Sequence, residues 1–130
     1  MRIAWKTQEM TGQDNSLKTS GVSVALCTCP PPEAVRLAGL LVEGGLAACV
    51  NVLPSVQSIY RWEGKLENEE ESLLIIKTTT AAFPALRDAL AEAHPYDVPE
   101  IIRLDVADGL PAYLEWVLAG GAGPEEAADA

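Results

Sequence analysis

The order of apolar patterns along the chain predicts an α+β fold, a ferredoxin-like sandwich of order βαββαβα in which helices cover one face of an antiparallel sheet. Three observations predict it. Strand-like and helix-like periods alternate so as to build two βαβ-like halves. The 130 residues, 48% of them hydrophobic, suit one domain with one core. A polar stretch between the second and third strands marks a β-hairpin longer than the sheet itself needs.

Each element has its own signal. Val22 to Thr28 alternates Val22, Val24 and Leu26 against Ser23, Ala25 and Cys27, the period of a strand with unequal faces. Pro30, Pro31 and Pro32 fit only at or before the first turn of a helix, and Ala34, Leu37, Ala38 and Leu41 then recur at helical spacing until Gly44-Gly45. Leu46 to Trp62, rich in β-branched and aromatic residues, reads as one long strand interrupted by a bulge at Pro54. Glu63-Gly64 opens a polar segment reaching Glu71, and Leu73 to Ile76 then form a buried third strand ending at Lys77. Phe83, Leu86 and Leu90 mark a second helix that starts near Ala82 and ends at His94, because the residue before Pro95 avoids helical dihedrals. Glu100 to Val106 supplies the fourth strand, and Pro111 with Leu114, Val117 and Leu118 the third helix.

Residues 1–20 are polar without a sustained period and residues 120–130 are small and acidic, so a flexible leader and an acidic tail are expected to flank a domain over residues 21–119. A domain this small with so long a hairpin is expected to bury its strand edges against neighbouring subunits. The net charge of −10 argues against a nucleic acid or an anionic membrane as partner. No stretch has the pattern of a signal peptide or a bilayer-spanning helix, so a cytoplasmic location is expected, and there the three cysteines stay reduced.

The polar segment His94-Pro95-Tyr96-Asp97-Val98-Pro99-Glu100 sets the only histidine, a tyrosine and carboxylates beside two prolines, Pro95 and Pro99, that stiffen the backbone. Cys27 and His94 are candidate metal ligands, one thiol and one imidazole, a pair suited to copper. Cys49, among small apolar neighbours, reads as core, and the Cys27-x-Cys29 spacing is too extended to grip one small ion. Lys77, with Trp62, Tyr96 and Glu100, is a candidate lining of an intersubunit cleft for a small molecule. The acidic run Glu67, Glu69, Glu70 and Glu71 reads as a solvated hairpin. A cysteine hydrolase would need a base and an orienting group that no motif supplies, so no enzyme activity is expected.

In ordered blocks from Val22 to Val117 the chain resembles the CutA divalent-cation tolerance proteins. The blocks are Leu26-Cys27-Thr28, Leu46-Ala47-Ala48-Cys49-Val50-Asn51, Ser58 to Lys65, Ile75-Ile76-Lys77-Thr78, His94-Pro95-Tyr96 through Pro99-Glu100, and Tyr113-Leu114-Glu115-Trp116. The resemblance implies a homotrimer whose long strands pair across subunits, similar in architecture to the PII signalling proteins, with a role in tolerance of divalent metal ions, chiefly copper. It implies copper ligation by a thiol matching Cys27 and by paired histidines before the Pro-Tyr pair, where this chain has Ala93-His94. The alternative it leaves open is a PII-like trimeric scaffold that binds a small molecule or a protein partner in the cleft between subunits.

Overall fold

The structure, a computed structural model, describes residues 19–121. Most of the expected leader and tail, residues 1–18 and 122–130, lies outside the described residues. Strand β1 runs Val22–Cys29, a 3-10 turn Pro31–Glu33 leads into helix α1 at Ala34–Glu43, and β2 spans Cys49–Trp62. Strand β3 covers Lys65–Thr79, α2 Phe83–Ala93, β4 Ile101–Asp105 and α3 Pro111–Leu118. The expected order βαββαβα holds, and the sheet order is β2-β3-β1-β4 with every neighbouring pair antiparallel.

The proline run acts as anticipated, but its fixed φ values make a 3-10 turn first, so the α-helix proper begins at Ala34. Two other boundaries differ from expectation. Strand β2 starts at Cys49, because Leu46 and Ala47 donate their backbone N–H groups to Leu41 O and close the end of α1. The supposed polar loop after Gly64 is strand from Lys65 onward, and only Glu63 and Gly64 turn, both at positive φ (49° and 81°). That pair of dihedrals is the signature of a two-residue I′ hairpin, whose twist matches the flanking strands. Pro54 produces the expected bulge, with a register shift between Leu53 and Val56, and its carbonyl accepts the Ser72 hydroxyl at 2.8 Å.

The core lies on one side of the sheet. Ala25, Cys27 and Cys29 of β1 and Leu74 and Ile76 of β3 meet Leu37 and Leu41 of α1 and Leu86 and Leu90 of α2, all buried. The other side follows from the period of two: Val24, Leu26, Leu73 and Ile75 point away from the helices and are only half-buried. Beside them Ile102 and Leu104 of the edge strand β4 are 47% and 52% exposed. Described structure also continues past the expected domain end, since Gly121 donates its N–H to Trp116 O and has no room for a side chain against Ala48.

The pairing of β1 with β3 stops at Cys29 opposite Ser72, while β2 and β3 continue together to Trp62 opposite Lys65. Seven residues of β3 therefore run on as a two-stranded ribbon, about 23 Å at the usual strand rise.

Candidate functional site

A cleft of about 830 Å³ opens where the ribbon leaves the sheet. One wall is mainly one ribbon face, joined by Ile59 at its edge: the register pairs Ser58 with Glu69 and Tyr60 with Glu67, with Val56 opposite Glu71, and directly opposed residues share a side. The other wall is the segment after α2, with Tyr96, Asp97, Val98 and Glu100, and Thr28 at the end of β1 forms the floor. Tyr60 donates its hydroxyl to Glu69 Oε1 at 2.7 Å, and Tyr96 donates to Glu71 Oε2 at 2.8 Å. The bond to Glu69, aided by partial desolvation, pushes the Tyr60 phenol up to about 12, and burial followed by the Glu71 bond raises the Tyr96 phenol well above its ordinary value. Both rings are thereby held as neutral donors.

His94 positions this wall. It caps α2 in an extended conformation and is 7% exposed. Its Nε2 is 2.8 Å from Thr28 O, and its Nδ1 lies 3.1 Å from Tyr96 N. A carbonyl only accepts and a backbone N–H only donates, so the ring is neutral with its proton on Nε2. Both nitrogens are committed: one ties β1 to the segment, and the other turns the chain so that Tyr96 reaches Glu71.

Cys27 reaches the same carbonyl, Sγ to Thr28 O at 3.5 Å, so the structure does bring Cys27 and His94 together. The pair nevertheless does not fit a metal ion. Cys27 is fully buried, and burial, with smaller contributions from Cys29, Glu100 and Glu71, pushes its thiol up to about 12. The thiol is buried with its proton and both imidazole nitrogens are engaged, so an ion would have to displace that proton and break the bonds that His94 makes. Among the described residues no three His, Cys, Asp or Glu side chains converge on a position for a metal. Cys27 is thus core, as is Cys29, whose thiol burial also pushes up.

Because the folded Cys27 thiol keeps its proton to higher pH than the unfolded one, its contribution to stability is complete below the ordinary value of 9.0 and is lost as pH rises from there toward about 12. Iodoacetamide at about pH 8 should leave Cys27 and Cys29 unmodified in the folded protein, as read by peptide mass spectrometry. Labelling of Cys27 at the rate of a free thiol would contradict its burial.

Of the four residues expected to line an intersubunit cleft, Trp62, Tyr96 and Glu100 lie together along this cleft of the single chain. Lys77 does not. It sits opposite Val24 and Cys49 at the far end of β3, hydrogen-bonded to Asn51 Oδ1, whereas Trp62 pairs with Lys65, about 40 Å away at the rise of a strand. The residues that sequence reading passed over are Tyr60, Glu69 and Glu71. Their signal is the strict alternation Val56-x-Ser58-x-Tyr60 facing Glu67-x-Glu69-x-Glu71.

The chain falls in the class of ferredoxin-like α+β subunits, here with an elongated hairpin and a cleft at its base. Within it, the chain belongs to the CutA1 divalent ion tolerance family, whose model matches residues 23–119. It is 50% identical over 95 residues to the divalent-cation tolerance protein CutA of Thermus thermophilus, covering 72% of this chain and 92% of that one. The mouse protein CutA is 46% identical over 97 residues, covering 74% of this chain, which spans only 55% of the mouse protein's length. The solved structure of the PII-like protein CutA from Nostoc sp. PCC 7120 superposes with a TM-score of 0.72 at 35% identity, covering 77% of this chain and 97% of that one.

Proposed function

We propose that the protein is a cytoplasmic, non-enzymatic homotrimer that supports divalent-cation tolerance as a PII-like scaffold, receiving its ligand in the cleft at the base of the ribbon and not at Cys27 and His94. The observation that carries this reading is the coincidence of an open apolar sheet face, two sheet-edge strands (β2 and β4) and a ribbon that outruns the sheet beside the cleft. Unpaired edges and exposed Ile102 and Leu104 are satisfied by association, and a ribbon of this length reaches a neighbouring subunit. A binding role is supported by the neutral, buried state of the one thiol that lies beside the histidine. Three free cysteines suit a reducing compartment, and among the described residues no helix is long and apolar enough to cross a membrane.

Light scattering combined with an anaerobic Cu(I) competition titration tests both halves of the reading. The expected mass is three times the 13.8 kDa chain. Cu(I) uptake is expected to be the same for the wild type, Cys27→Ala and His94→Ala. A monomer at micromolar concentration would sink the scaffold, and loss of stoichiometric Cu(I) in both variants would restore the thiol–imidazole site.

A further inference from the structure

We propose that the cleft takes an extended aliphatic polyamine, its ammonium groups read by a row of carboxylates along the ribbon and its methylenes packed against Tyr60, Trp62 and Tyr96. The inference rests on the cleft being the ligand site and names the class of ligand. The ionisable side chains that line the cleft, apart from the two tyrosines, are all Asp or Glu. That sign selects a cation. Shape then separates an organic cation from a metal ion. Same-face positions on a strand repeat about every 7 Å, so Glu69 and Glu71 form a row and not a cage. The absence of three converging donors among the described residues agrees, since a small ion needs several oxygens within bonding distance at once. A chain of ammonium groups separated by methylenes meets spaced charges one at a time.

Glu71 adds a separate indication. It is only 7% exposed and lies in the cleft wall. Tyr96 satisfies Oε2, but among the described residues no donor reaches Oε1 and no Lys or Arg pairs with the carboxylate. A buried carboxylate without a counter-charge is costly, and an ammonium entering the cleft supplies both the charge and the missing donor. The aromatic side chains complete the match. With the hydroxyls of Tyr60 and Tyr96 engaged by Glu69 and Glu71, their rings and that of Trp62 offer faces that attract an ammonium and cover its alkyl chain.

The test is calorimetric titration of spermidine into the full chain, with Mg²⁺ at matched ionic strength as the control for simple screening, repeated on Glu71→Gln and Trp62→Ala. Glutamine keeps an acceptor for Tyr96 and removes only the charge, and Trp62, 61% exposed, is replaceable without opening the core. Saturable uptake that resists Mg²⁺ is expected, weakened at least about tenfold by Glu71→Gln and measurably by Trp62→Ala. Absence of saturable binding, displacement by Mg²⁺ at equal ionic strength, or unchanged affinity in both variants would overturn the proposal. Light scattering on the same samples separates the two levels of inference. A trimer indifferent to spermidine overturns the ligand class alone, whereas a monomer removes the scaffold on which it rests.

Discussion

Leu74→Ala is expected to cost about 3–5 kcal/mol per subunit in chemical denaturation, a large part of the stability of a domain this size. Leu74 is fully buried, and its strand has a neighbour on each side, with Cys27 opposite on β1 and Val52 opposite on β2. Helices α1 and α2 close over it through Leu37, Leu41, Leu86 and Leu90. Truncation leaves a void that this enclosure prevents from collapsing, which places the cost at the upper end of the usual range. The effect should also reach the cleft, because Glu71 lies three residues away on the same strand and faces the opposite side. A denaturation midpoint shifted by less than the equivalent of about 1 kcal/mol would mean that the core repacks, contrary to the density expected of an enclosed sheet–helix interface.

What was readable in the sequence depended on whether the signal was local. Pro30 to Pro32, Gly44-Gly45, Pro54 and the His94-Pro95 step each act through their own dihedrals, and each acts in the structure where the residues placed it. The acidic half of the ribbon was missed because Glu is depleted in strands and shows no apolar alternation. Lys65 to Glu71 are nevertheless in strand because Val56 to Trp62 opposite them hold the register and the Glu63-Gly64 turn sets it. Lys77 ends an apolar run, which suggests a cleft residue, yet counting residues along one uninterrupted strand puts it at the far end from Trp62. The partners of His94 were beyond reach for another reason. Thr28 is 66 residues away, and nothing local marks its carbonyl as the acceptor that commits the imidazole.

That commitment makes His94→Ala the second large effect, a loss of about 2–4 kcal/mol without any change in metal content. The substitution removes a side chain that is 93% buried together with the donor to Thr28 O and the acceptor for Tyr96 N, leaving two backbone groups to find water in a confined space. Its consequence extends along the segment. Tyr96 is oriented by its N–H bond to Nδ1 and packs on the imidazole at a ring separation of 4.8 Å, so losing the ring frees the hydroxyl that holds Glu71. The phenol, raised by burial and by that carboxylate, should then titrate closer to its ordinary value, a change visible in ultraviolet pH difference spectra. His94→Gln, which keeps a donor and an acceptor at the end of a shorter reach, should recover part of the stability and part of the Tyr96 shift. A metal ligand would behave differently: glutamine would rescue neither, the stability of the metal-free protein would hardly change, and the Tyr96 titration would be unmoved by either substitution.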